Sequence, residues 1–147
     1  MTGHCAPAAP VVPRGSVDVG RVYDHDRTSA HRVLVDRLWP RGLAKAAAPI
    51  DEWLQDVAPT TALRRWYAHD PARFEEFARR YRAELAGPAA AAVEHLTALA
   101  ASGPLRLMTA TRDVDHSAAH VLRDHLATVA LRERRAHRAS ARGARTR

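Results

Sequence analysis

The chain has 147 residues, 46% of them apolar, with one cysteine and a formal charge of +7, a profile that fits one globular domain with its own core and excludes a disulfide-stapled miniprotein. No apolar run approaches the roughly 18 to 20 residues of a membrane-spanning helix, so no membrane partner is expected. Seven arginines (Arg132, Arg134, Arg135, Arg138, Arg142, Arg145 and Arg147) share the last 16 residues with one acid, Glu133, so this tail holds +6 of the charge. A basic pI as a sign of nucleic-acid binding therefore concerns the 132–147 tail and says little about the nearly neutral remainder.

Residues 1–20 carry Pro7, Pro10 and Pro13 among small residues without apolar periodicity, which predicts a disordered leader. No basic n-region precedes an unbroken apolar stretch, so a secretory signal is not expected. The only cysteine, Cys5, lies in this leader, which leaves the body without cysteine chemistry and makes the cytoplasm the expected compartment.

From Arg21 the pattern changes. Arg21-Val22-Tyr23 and Arg32-Val33-Leu34-Val35 are short and β-branched and read as strands, the second more strongly, with Asp36 to Gly42 as the loop that leaves it. Asp51 to Val57 reads as a short helix stopped by Pro59, and Thr60 caps another that runs through Leu63 and Trp66. Asp70 and Pro71 open the clearest helix, with Phe74, Phe77, Tyr81 and Leu85 on one face and Gly87 at its end. Pro88 opens an alanine-rich helix with Val93, Leu96 and Leu99 inward, closed by Gly103 and Pro104; Leu105 to Thr109 reads as a buried strand. A last helix is expected from about Asp115 to Leu131, with Ala119, Leu122, Leu126 and Val129 inward. The order predicts a small single α/β domain over 21–131, with a short, mostly parallel sheet flanked by helices and a disordered tail over 132–147. So few strands also predict that Val22-Tyr23 pairs in the sheet or that a further edge strand is present.

The string Val35-Asp36-Arg37-Leu38-Trp39-Pro40-Arg41-Gly42-Leu43-Ala44-Lys45 resembles the YeaO-like group of domain-of-unknown-function family 488. The resemblance continues through Arg21-Val22-Tyr23-Asp24, Asp51-Glu52-Trp53-Leu54, Trp66-Tyr67, His69-Asp70-Pro71, Arg80-Tyr81, Glu84-Leu85 and Thr111-Arg112-Asp113, and covers roughly 21–127. It implies the fold of a bacterial and archaeal family whose function is not established, and carries no catalytic residue across. Arg112, Ser117 and His120 depart from the family pattern, which has lysine, asparagine and an apolar residue there.

In open α/β sheets ligands bind beyond the C-terminal ends of the strands, where this chain places Asp36, Arg37 and Arg41 after one strand and Thr109, Thr111, Arg112 and Asp113 after the other. Arg37, Arg41, Lys45 and Arg112 would form a cationic pocket for a phosphate- or carboxylate-bearing ligand, with Trp39 as a wall, His116 at its edge and the amides opening the last helix as further donors. The competing reading is an internal lock, in which Asp36 pairs with Arg37 or Arg112 and Asp113 caps the last helix. Trp53 and Trp66 read as core anchors. Asp36, His69 and Asp113 are the candidate catalytic groups, His69 because capping explains Asp70 and helix entry explains Pro71. His116 and His120 have the i, i+4 spacing of zinc ligands, but Ser117 stands where a zinc protease has glutamate, so no metal is assigned. Nothing implies a cofactor. There is no glycine-rich phosphate loop, G-x-S-x-G elbow or CxxC pair. Three readings stand: an anion-binding protein, a nucleic-acid-binding module that uses the 132–147 tail, and a structural or adaptor protein.

Overall fold

The computed structural model describes residues 16–24 and 28–144. Four strands, β1 (Val17–Arg21), β2 (His31–Leu34), β3 (Glu52–Trp53) and β4 (Leu105–Thr109), and four helices, α1 (Thr61–Tyr67), α2 (Phe74–Ala86), α3 (Ala90–Ser102) and α4 (Ala118–Ala144), are connected by loops and short 3-10 turns. All strand pairs are parallel, in the order β1-β4-β2-β3, which gives the α/β architecture expected from the sequence. β4 is central, and four of its five residues are buried.

Side-chain alternation separates the two faces of the sheet. Val17, Val19, Val33, Leu105 and Leu107 pack with the helices, where Phe77, Tyr81, Leu85, Leu96, Leu122 and Leu126 complete the main core. Leu34 and Met108 form a second, smaller cluster with Val22, covered by Trp39, Leu43, Ile50 and Trp53. Further along that second face the sheet is charged. The register sets Asp18 and Arg32 on either side of Arg106, and Asp51 accepts from the Arg32 backbone at 2.8 Å. Gly20 leaves room for this arrangement, because a Cβ there would lie 2.6 Å from Arg106 Nε.

Several boundaries differ from expectation. β1 begins at Val17, inside the segment expected to be leader: Val17 and Val19 reach the core from a sheet edge, a two-residue signal hidden by the prolines before it. Residues 1–15, including Cys5, lie outside the described residues. Val22 extends the ladder by one bond, from its amide to the Thr109 carbonyl at 3.0 Å, but the strand itself ends at Arg21 and Tyr23 is exposed. The helix expected over Asp51 to Val57 is instead β3 followed by a single 3-10 turn, Gln55–Val57. The open edge of β2 decides this, since Asp51 donates to the Arg32 carbonyl at 2.8 Å and Leu54 to that of Leu34 at 2.9 Å. At the other end α4 continues through Ala144 where a disordered tail was expected. Alanine and arginine are strong helix formers, and a helix already nucleated on the core propagates cheaply. No helix among the described residues is long and apolar enough to cross a membrane.

The caps expected at Thr60 and Asp70 are present, Asp70 at a 3-10 turn over Pro71–Arg73 that leads into α2. Thr60 accepts from the Leu63 amide at 3.3 Å and Asp70 from that of Ala72 at 3.0 Å. Phe77, Tyr81 and Leu85 are buried along α2. Tyr67 of α1 stacks on Phe77 with centroids 4.1 Å apart, and Phe77 on Tyr81 at 5.8 Å. The fully buried Tyr81 donates its hydroxyl to the Val57 carbonyl at 2.6 Å. Trp53 and Trp66, expected as core anchors, are only partly buried: Trp66 packs at the core margin under the Arg80 guanidinium, 4.3 Å from its ring, and Trp53 belongs to the smaller cluster.

Removing the Tyr81 hydroxyl leaves a carbonyl without its partner while the aromatic stack persists. Tyr81→Phe is therefore expected to cost about 1 to 3 kcal/mol, read from urea denaturation midpoints at unchanged m-value; a loss below a few tenths would show that the Val57 carbonyl is otherwise satisfied.

Candidate functional site

β2 and β4 lie side by side and end at the same edge of the sheet, so the loops after them meet. Their junction is a carboxylate. Asp36 accepts from the Thr109 hydroxyl and from the Ala110 amide, both at 2.8 Å, and Thr109 Oγ1 in turn accepts from the Thr111 amide at 3.2 Å. The anticipated ion-pair lock of Asp36 with Arg37 or Arg112 is not what forms. Neutral donors hold the carboxylate, because the Thr109 hydroxyl and the Ala110 amide arrive at the strand end where a guanidinium would have to be buried. Burial is the largest influence on Asp36 and raises its pKa above the ordinary 3.8, against the Ala110 and Thr109 hydrogen bonds and the nearby His69, which lower it.

The Asp36 loop is tied down along its length. The Trp53 indole donates to the Asp36 carbonyl at 2.8 Å, Gln55 Nε2 to that of Arg37 at 3.0 Å, and the Trp39 indole to that of Leu43 at 2.6 Å. Gly42 adopts φ 75°, and Leu43 donates back to the Pro40 carbonyl at 3.4 Å. The Pro-Arg-Gly string thus forms a turn whose third residue needs a left-handed backbone, a position suited to glycine. That turn presents Arg41, whose carbonyl accepts from the Tyr23 hydroxyl at 3.0 Å.

Above this loop is a cleft of about 380 Å³. Asp36, Arg37, Trp39, Arg41 and His69 all line it, which brings together five of the residues singled out from the sequence. Arg37 is half-buried, with its Nε donating to the Pro59 carbonyl at 3.2 Å. His69 reaches the cleft through two successive left-handed residues, Ala68 at φ 48° and His69 at φ 55°, a conformation that costs non-glycine residues on the order of 1 kcal/mol or more each.

The other candidates are divided. Arg112 and Asp113 line an adjoining hollow that shares His69, Ala110 and Thr111 with the cleft. Lys45 lies outside both, with its ammonium 5.8 Å from the Trp39 ring centre. His116 also lies outside, edge-on to Phe74 at 5.0 Å and 2.7 Å from an Asp113 carboxylate oxygen. Asp113 does not cap α4. Ser117 does, accepting from the His120 amide at 3.2 Å, because a 3-10 turn over Val114–His116 separates Asp113 from the helix. His120 pairs with Asp124 at 3.5 Å, so the two histidines have separate partners, and no group of three His, Cys, Asp or Glu suited to a metal occurs among the described residues.

Arg64, Tyr67 and Ser117 also line the cleft and are not among the site candidates read from the sequence. Arg64 and Tyr67 belong to α1, whose placement over the strand ends follows from tertiary packing. Tyr67 donates its hydroxyl to the His116 carbonyl at 2.6 Å and thereby fixes the turn that leads into α4. Burial, then the nearby Asp113 and Asp70, raise the Tyr67 pKa above 10.0, so it remains a donor at neutral pH. The cleft thus has three arginines and a histidine around one carboxylate, with α4 starting at its wall.

The family model described as the inactive DUF488-N3 subclade matches residues 16–143. Similar proteins include the uncharacterized protein Rv3073c of Mycobacterium tuberculosis and Mb3100c of Mycobacterium bovis, each 48% identical over 107 residues, which cover 72% of this chain and 89% of theirs. The uncharacterized protein YeaO of Escherichia coli is 34% identical over 112 residues, covering 76% of this chain and 96% of its own. No solved structure matches significantly. The matched span includes all four strands and the whole cleft, and the chain belongs to the YeaO-like DUF488 family, within the subclade described as inactive.

Proposed function

We propose that this protein binds a small phosphate- or carboxylate-bearing ligand in the cleft at the C-terminal edge of its sheet, and does so without turning it over. The convergence of Arg37, Arg41 and Arg64 on one cleft supports this reading: guanidinium groups suit planar and tetrahedral anions, and α4 adds the positive end of its dipole. Asp36 is the obvious opponent of an anion, yet both of its oxygens are already engaged by the Thr109 hydroxyl and the Ala110 amide, which weakens that opposition. The description of the subclade as inactive supports binding over catalysis. So does the engagement of Asp36 by Thr109 and Ala110, which suits a structural carboxylate better than a general base. Asp113, held by His116, lies apart from the cleft.

A panel of phosphate, nucleotides and small carboxylates is expected to raise the melting temperature. A ligand at about 100 times its Kd adds about 2.7 kcal/mol, or on the order of 10 °C for a domain of this size. Arg41→Ala and Arg64→Ala should each remove most of the shift, with Arg112→Ala, in the adjoining hollow, removing least. A wild type that no anion stabilises would sink the proposal.

Asp36 gives a second test with a definite sign. Its pKa is raised in the fold, so between 3.8 and the folded value the native state binds more protons than the unfolded one, and stability falls as pH rises through that window. Asp36→Asn lacks this penalty. Its stability relative to wild type should rise with pH from about 4 and then level off, measured by urea denaturation across pH. A difference independent of pH would contradict the assignment.

A further inference from the structure

A second groove lies at the opposite end of the sheet from the cleft. It has a volume of about 600 Å³ and runs between the last turns of α3 and the second half of α4, beside Val17 at the start of β1. Its floor is apolar and shallow, formed by Leu126, Ala127 and Ala130, and Thr97 and Ala101 of α3 make an uncharged wall. The other wall is net basic. From Leu131 to Gly143 every residue of α4 is exposed, and Arg134 and Arg138 from this stretch line the groove together with His137 and a single acid, Glu133. Arg134 and Arg138 are spaced i, i+4, so like charges share a helix face, an arrangement that destabilises a helix by a few tenths of a kcal/mol per pair. Among the described residues no carboxylate pairs with Arg134 or Arg138.

We infer that this groove docks an amphipathic helix from a partner protein, one that carries a row of acidic residues along one flank of its apolar face. Charge complementarity selects the occupant. A second copy of this chain would set arginine against arginine. Single-stranded nucleic acid calls for a basic channel with several stacking aromatics, whereas here one wall is neutral, the floor is aliphatic and His137 is the one ring among the lining residues. Alanines on both sides allow a helix backbone to approach closely, its apolar residues cover Leu126 and Ala130, and its acidic flank meets Arg134 and Arg138, which is helix-in-groove recognition with charge setting the orientation.

The test uses the full-length protein and a fluorescent helical peptide of about 18 residues, long enough to hold a helix in water, with leucine and alanine on one face and glutamate along one flank. Saturable binding is expected by anisotropy, weakened about tenfold by Arg134→Glu with Arg138→Glu and blocked by Ala127→Trp, which fills the floor. The charge-reversed protein should instead bind the same peptide with lysine in place of glutamate. Both arginines lie on the exposed stretch, so an unchanged urea midpoint confirms that the variant folds. Three results would overturn the inference: no binding of the glutamate peptide by wild type; DNA or RNA binding that the same reversal abolishes while the peptide stays unbound; or a dimer of the protein alone that Ala127→Trp dissociates.

Discussion

One half-buried carboxylate makes a single site out of two loops. Asp36 leaves the end of β2 and accepts from the side chain of Thr109 and the backbone of Ala110 at the end of β4. Parallel strands hold their ends in register only as far as the ladder runs, and the ladder between these two stops at Leu34 and Met108, with one further bond from Val35. Beyond that point Asp36 replaces the ladder. Burial costs the charged form of the group, and its two short hydrogen bonds offset part of that cost. The cleft's geometry depends on it because Arg37 follows Asp36 directly and Arg41 follows on the turn closed at Gly42. The hollow containing Arg112 starts from Ala110 on the other side of the same junction.

The aromatic stack of Tyr67, Phe77 and Tyr81 supports that junction from the helical layer. Its two phenols end on loop carbonyls, Tyr81 on Val57 and Tyr67 on His116. The first fixes the loop that carries Pro59, which in turn holds Arg37 Nε at 3.2 Å. The second fixes the turn before α4. Two elements of the cleft wall are thus positioned by hydroxyls at the ends of rings whose bodies belong to the core, so packing and site geometry are coupled through the same side chains.

The parts of this arrangement that were legible in the sequence are those written locally. Val33, Leu34 and Leu105 to Thr109 announce buried strands, Thr60 and Asp70 announce helix starts, and the residues just past the strand ends are site candidates by topology alone, which groups Asp36, Arg37, Trp39 and Arg41; His69 stands out separately, as the residue that capping by Asp70 and helix entry at Pro71 leave unexplained. β3 was not legible. A two-residue strand has no alternation to detect, and its state is decided by the unpaired edge of β2. Arg64 and Tyr67 were hidden for a related reason, since nothing in α1 states which strand ends it covers. The tail was misread because a run of arginines suggests solvated disorder, whereas helix propensity and attachment to a packed helix decide the conformation through Ala144.

α4 joins the two basic features of the molecule, and its length keeps them electrostatically apart. Arg134 is 16 residues along the helix from Ala118, or about 24 Å at 1.5 Å per residue, against a screening length of about 8 Å at physiological ionic strength. The arginines of the projecting half therefore contribute little to the potential inside the cleft, although they supply most of the net charge of +7. They sit toward the negative end of the helix dipole, where cations are favoured, while the positive end opens at Ser117 on the cleft wall. Any affinity of the cleft for an anion must come from Arg37, Arg41, Arg64, His69 and that helix start, and the charge on the second half of α4 remains available to a different partner at the other end of the sheet.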